Sequence, residues 1–212
     1  VTAFNFGWQP FFLEQGKAAN QEKLFGKVTT LVLAVLGFIW LILTLWADDF
    51  IQMKIMGYSF FGEEFQNSIP IVPWIALGYL FYGFYVLQTP GIFLKDRPGI
   101  AAWTRLLGAT SNIIFCFIFI PLYGAIGAAM ATCLAFFLML VMMYWWNTKL
   151  YPIRLEWRKI SFITIILISG FFVSRASADN LFINILITGL YPVGLIGLGI
   201  IKIDSFKSRV AD

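Results

Sequence analysis

The chain has 212 residues, 60% of them hydrophobic and only 12% charged, with a formal net charge of +4. That is too little polar surface to coat a globule, so a water-soluble domain is excluded and a bilayer is the natural solvent. The basic residues are dispersed between apolar stretches rather than gathered in one stripe, which argues against nucleic acid as a partner. The absence of histidine, with two cysteines (Cys116 and Cys133) outside any CxxC spacing, argues against a metal site, thiol chemistry or a cofactor.

In chain order, residues 1–12 (VTAFNFGWQPFF) lack the basic start and small-residue cleavage site of a signal peptide. They read as the end of a helix that begins earlier, so the chain is expected to be a piece of a longer protein, with 1–27 supplying that helix end and a basic loop. Crossing about 30 Å of hydrocarbon takes roughly 20 apolar residues. Residues 28–46, 69–94 and 181–201 are free of Asp, Glu, Lys and Arg and are expected spans. Residues 106–148 form a 43-residue uncharged stretch, too long for one crossing, and Pro121-Leu122-Tyr123-Gly124 offers a turn near its middle. Two helices are expected there, over 100–120 and 125–146. Residues 160–174 are short for a span, a mismatch that tilt or local thinning accommodates. The expected fold is an all-α integral membrane bundle of about six transmembrane helices. Residues 28–148 form its four-helix core, and 149–212 form two peripheral helices and a tail.

Charges test this topology. Lys17, Lys23, Lys27, Lys95, Arg97, Lys149, Arg154, Arg158, Lys159, Lys202, Lys207 and Arg209, 12 of the 15 basic residues, fall on one side. Lys54 and Arg175 fall on the other, with Asp48, Asp49, Glu63, Glu64 and Asp179. An excess of Lys and Arg marks the cytoplasmic side, so the 1–27 segment and the C-terminus are expected in the cytoplasm.

The turn and its flanks read SNIIFCFIFIPLYGAIGAAMATCLAF. An intramembrane Asn112 precedes Ile120-Pro121, Gly124, and then Gly127-Ala128-Ala129 with Ala131-Thr132. This pattern resembles the Wzx-type O-antigen flippases of the multidrug/oligosaccharidyl-lipid/polysaccharide exporter superfamily, where a similar motif joins two helices of the C-terminal lobe. Trp8-Gln9-Pro10-Phe11-Phe12 ahead of a basic loop, and Gly91-Ile92 with Lys95, look similar too. The motif covers about 25 residues, the hydropathy pattern most of the chain. The resemblance implies the C-terminal part of a two-lobed fold of 12 to 14 helices, with the N-terminal lobe of the same protein missing here. It also implies a transporter, not an enzyme, that moves a polyprenyl-pyrophosphate-linked oligosaccharide across the bacterial inner membrane for O-antigen, capsule or exopolysaccharide synthesis. The expected partners are that lipid-linked oligosaccharide, membrane lipids and the missing lobe.

Independently of the family, Gly124 with Ala128, and Gly127 with Ala131, are small residues four apart on one helix face, a pattern for close helix packing beside the Pro121 turn.

Arg105 is the one charge inside a span, and an embedded cation is a functional-site candidate by default. Asn112 lies two turns on, on the same face, with the small residues Gly108 and Ala109 between. Facing a cavity, the Arg105 guanidinium would suit the phosphates of a pyrophosphate-linked lipid. Facing away, it would snorkel to the headgroups or pair with Asp96. In the second span Gly78, Tyr82, Tyr85, Gln88 and Thr89 fall near one face, either as a sugar-binding platform or as packing and interface anchors. Tyr144, Trp145 and Trp146 read as an interfacial aromatic belt. The competing functions are a multidrug or lipid II exporter of the same superfamily, and a membrane-embedded polysaccharide polymerase or acyltransferase. The first would favour a carboxylate within a span, the second catalytic acid–base groups in a substantial loop. Glu63-Glu64 is the nearest approach to a carboxylate pair and reads as a solvated charge run.

Overall fold

The computed structural model describes residues 2–16, 21–55, 58–59, 68–177, 180–197 and 199–200. The chain is an all-α membrane bundle. Its helices are α1 (Thr2–Gln15), α2 (Gln21–Gln52), α3 (Val72–Leu87), α4 (Pro90–Leu94), α5 (Gly99–Leu150), α6 (Trp157–Ala176) and α7 (Leu181–Gly197). Two-residue strands, β1 (Lys54–Ile55) and β2 (Tyr58–Ser59), pair antiparallel beyond the end of α2. Among the described residues four segments are long and apolar enough to cross a bilayer: α2, Ser68–Leu94, α5 and α6; α7 is a shorter apolar helix.

A straight helix of the 52 residues of α5 would run about 78 Å, more than twice the hydrocarbon thickness. It therefore folds back on itself at Gly124, whose φ of 57° and ψ of −132° lie in a region that only glycine enters without strain. The two limbs, 99–123 and 125–150, form an antiparallel hairpin with the expected turn at its tip. With the two limbs counted separately, the described residues hold six apolar helical segments, the last of them, α7, shorter than the others.

The second expected span is not continuous. α3 ends at Leu87, and α4 restarts at Pro90 after Gln88 and Thr89. Proline has no N–H to continue the ladder and sits favourably at a first helical position, so it closes one helix and opens the next.

Two apolar clusters hold the bundle. At one end Trp8 and Phe12 of α1, Phe25 of α2, Tyr85 and Leu87 of α3, Ile92 of α4 and Met143 of α5 bury together. Toward the other end Ala34, Trp40, Leu41 and Leu45 of α2 pack with Ile163 and Leu167 of α6 and Tyr191 and Leu195 of α7. Thus α6 and α7 lie principally on α2 and on each other, apart from the α3–α5 interface. Polar pins fix them there: the Tyr191 hydroxyl donates to the Ala34 carbonyl at 2.9 Å, the Trp46 indole N–H to the Thr188 hydroxyl at 3.1 Å, and the Ser174 hydroxyl to Asn184 Oδ1 at 2.6 Å.

Charge sorts to the two ends. The backbone N–H of Arg154 donates to the Glu22 carbonyl at 3.2 Å, and its guanidinium pairs with the Glu22 carboxylate at 3.4 Å, which brings the α5–α6 loop onto the start of α2. Phe12 meets Phe93, and Phe25 meets Tyr151, at the same end. Lys23, Lys27, Lys95, Arg97, Lys149, Arg154, Arg158 and Lys159 therefore share one end, while Asp48, Asp49, Lys54 and Arg175 occupy the other. Lys17, Lys202, Lys207, Arg209, Glu63, Glu64 and Asp179 lie outside the described residues.

Candidate functional site

The α5 hairpin packs against α3, and small residues set how closely. A Cβ on Gly78 would stand 3.2 Å from the Cys133 Cα, so the backbones of α3 and the second limb nearly touch there. Close approach at small residues is the usual means of helix association in lipid. Gly78 is thus a packing residue, and Thr89, the last polar position on that face, bonds back to its own helix at the Val86 carbonyl at 2.7 Å.

Between the limbs and α3 lies a recess of about 380 Å3, lined by Tyr82, Arg105, Gly108, Ala109, Asn112, Thr132, Ala135, Phe136 and Met139. It unites three of the five expected binding residues: Tyr82 from α3, Arg105 and Asn112 from the first limb. The notch expected at Gly108 and Ala109 is part of its wall. Arg105 is exposed and makes no ion pair among the described residues, where the salt bridges are Arg154–Glu22 and Lys159–Glu156. The pairing with Asp96 considered from sequence does not form; Asp96 instead takes a positive φ of 51° in the turn before α5.

Asn112 is tied into the hairpin. Its Nδ2 donates to the Thr132 hydroxyl at 3.2 Å, Thr132 in turn donates to the Ala128 carbonyl at 3.0 Å, and the Cys116 thiol lies 3.8 Å from Asn112 Oδ1. Thr132 was legible only as a motif position; its hydroxyl is the inter-limb acceptor. Tyr82 stacks nearly parallel on Tyr85, ring centroids 5.7 Å apart, and leans on Phe136 at 5.0 Å.

The two remaining binding candidates sit elsewhere. Tyr85 is fully buried behind Tyr82 and does not line the recess. Gln88 is also fully buried, at the α3–α4 break, where its Oε1 accepts from Asn147 Nδ2 at 3.2 Å. Of the two readings of that face, Tyr85 and Gln88 follow the packing one, so they are corrected as binding candidates. In a straight helix these residues share a stripe, but the break and the α5 packing turn its lower part inward. Asn147, the partner of Gln88, was missed because it closes an apolar run two residues before Lys149 and reads as an interfacial residue.

Of the expected packing residues, Ala131 is fully buried, and a Cβ on Gly127 would collide with the Phe119 carbonyl across the turn. Ala128 offers its carbonyl to Thr132. Gly124 is corrected: nothing lies near where its Cβ would be, so it serves backbone conformation, not packing. Pro121 sits inside the first limb, three residues before the reversal. At the basic end the Lys149 ammonium lies 3.5 Å from the centre of the Trp145 ring, a cation–π contact suited to a belt at the headgroup level.

A second recess of about 500 Å3, lined mainly by apolar residues including Leu107, Leu138, Val141 and Trp145, lies beside the first and shares Gly108 and Met139 with it.

No family model matches the chain, and no solved structure matches it. It is similar to an uncharacterized membrane protein of Methanocaldococcus jannaschii, 26% identical over 164 residues, covering 71% of this chain and 31% of that protein. The chain thus spans about a third of the length of this relative.

Proposed function

We propose that this multi-pass membrane chain is the C-terminal lobe of a flippase that moves a polyprenyl-pyrophosphate-linked oligosaccharide across the bacterial inner membrane. The observation that carries the reading is the recess at the α5 hairpin. One exposed guanidinium without an acidic partner among the described residues, one half-buried tyrosine ring and one carboxamide converge there, inside the apolar part of the bundle. A guanidinium offers paired N–H donors to phosphate oxygens, and an aromatic face suits a sugar ring. The protein then acts as a transporter and not an enzyme: it supplies a path for a polar headgroup and breaks no bond.

The transport cycle requires a second lobe, against which this bundle rocks. The basic end faces the cytoplasm in this reading, which places the Arg105 recess nearer the leaflet where the lipid-linked sugar is loaded. Complementation of surface-glycan export by the full-length protein tests the reading. Arg105→Gln is expected to impair export with normal membrane insertion, and Arg105→Lys to restore it only in part, because lysine keeps the charge and loses the planar fork. Normal export by the Gln variant overturns the assignment of Arg105.

A further inference from the structure

The apolar recess and the Arg105 recess meet at one contact. A Cβ on Gly108 would strike the Sδ and Cγ of Met139, so the Met139 side chain rests directly on the Gly108 backbone. Both residues line both recesses. A methionine side chain has three rotatable bonds and adapts to what it touches, so this partition can yield while the two limbs keep their places.

The apolar side has the dimensions and the position of a lipid chain. Leu107, Leu138, Val141 and Trp145 line it and are exposed, and in a bilayer such surface meets hydrocarbon, which is as apolar as leucine. Trp145, with the Lys149 ammonium over its ring, marks the headgroup level of the basic end. Leu138 lies seven residues deeper along α5, about 10 Å toward the middle of the membrane. The recess therefore follows the chain region of one leaflet.

The cation is at the same depth. Arg105 precedes Leu107 and Gly108 by less than one helical turn, so charge and apolar wall lie within about 5 Å of each other along the axis. A free phosphate would leave the apolar recess without a ligand, and a neutral chain would leave the guanidinium without one. An amphiphile whose phosphate adjoins its chain meets both.

We propose that the two recesses are halves of one site for a single anionic lipid, its phosphate on Arg105, its hydrocarbon chain in the apolar recess, and Met139 the flexible partition between them. The proposal deepens the flippase reading and rests on it for the identity of that lipid as a polyprenyl pyrophosphate.

Protection of Arg105 from phenylglyoxal tests it, read by peptide mass spectrometry on the full-length protein in maltoside micelles. The probes are polyprenyl pyrophosphate and inorganic pyrophosphate, which share the headgroup and differ in the chain. In the parent the lipid should protect at concentrations several-fold lower than the inorganic ion. Val141→Trp fills the apolar recess from an exposed position and should remove most of that advantage, with Arg97 and Arg154 reacting as in the parent to show that the fold is kept. Leu138→Trp, also exposed, repeats the test from the neighbouring turn and decides it if the first variant disturbs those controls. Partition into the micelle favours the lipid equally in every protein, so the change between parent and variant is the quantity that counts. Equal protection by the two probes in the parent, no protection by either, or a lipid advantage undiminished in the Trp variants overturns the proposal. An undiminished advantage leaves the flippase reading standing, while normal glycan export by Arg105→Gln removes that reading and leaves the comparison of the two probes untouched.

Discussion

The carboxamide of Asn112 and the hydroxyl of Thr132 meet at 3.2 Å across the α5 hairpin, twenty residues apart in sequence and on opposite limbs. A hydrogen bond between helices inside a bilayer is worth about 0.6 kcal/mol on average and up to about 1.7. Asn112→Leu should therefore cost about 1 kcal/mol of stability. Thr132→Val should cost a similar amount, and the double variant little more than either single one. Thermal unfolding of the purified protein in bicelles measures the cycle; fully additive losses would mean that the bond carries no energy.

Gly124 and Gly127 are both glycines for different reasons, and the difference is measurable. At Gly124 the space for a side chain is empty but the backbone is forbidden to one; at Gly127 the backbone is helical but the Phe119 carbonyl occupies the space. Gly124→Ala should destabilise by about 1–3 kcal/mol through strain alone. A D-alanine placed there by chemical synthesis should restore the loss at position 124 and not at 127. Equal behaviour of the two positions in thermal unfolding would contradict the assignment.

Where α3 breaks, Gln88 and Asn147, both fully buried, form one hydrogen bond, and Gly91 lies so close to Asn147 Oδ1 that any side chain there would strike it. Removing one partner strands the other, at about 1–3 kcal/mol for a buried polar group, whereas removing both is nearly neutral. Asn147→Leu should thus be more destabilising than Gln88→Leu with Asn147→Leu together. Gly91→Ala should resemble Asn147→Leu, because the added methyl displaces the amide. Thermal midpoints of the four proteins decide it, and a double variant worse than the single one would contradict the pairing.

The sorting of charge to two ends predicts an orientation. Single cysteines in place of Arg154 and Asp49, in a background without Cys116 and Cys133, should react oppositely with a membrane-impermeant maleimide applied to intact cells. Position 49 is expected to label and position 154 to label only after lysis. The reverse pattern would invert the topology and move the recess to the outer leaflet.

Much of this architecture was legible in the sequence. The turn at 121–124 was readable because an uncharged run too long for one crossing contained Pro121 and Gly124. Helix ends were less legible, for one physical reason. Searching for uncharged residues trims a span at its first charge, yet α2 runs on through Lys23, Lys27, Asp48 and Asp49, and α6 begins at Trp157, ahead of Arg158 and Lys159. Long charged side chains at helix ends reach the headgroups while their backbone stays helical, so 160–174 looked too short and is in fact a 20-residue helix. The break at Pro90 was hidden inside an apolar stretch. The site divided along the same line. Arg105, Asn112 and Tyr82 converge as helical spacing on adjacent elements suggests, but burial of Tyr85 and Gln88 depends on which face of α3 meets α5, and hydropathy alone does not register that.

Translocation of a fluorescent polyprenyl-pyrophosphate-linked oligosaccharide in proteoliposomes containing the full-length protein tests the central claim most directly. The parent should move the lipid well above empty liposomes. Arg105→Gln, by losing a charge-assisted contact worth about 1.5–3 kcal/mol, should need roughly 10- to 100-fold more substrate for the same rate. Failure of the parent to move the lipid, or an Arg105→Gln protein indistinguishable from it, would contradict the account.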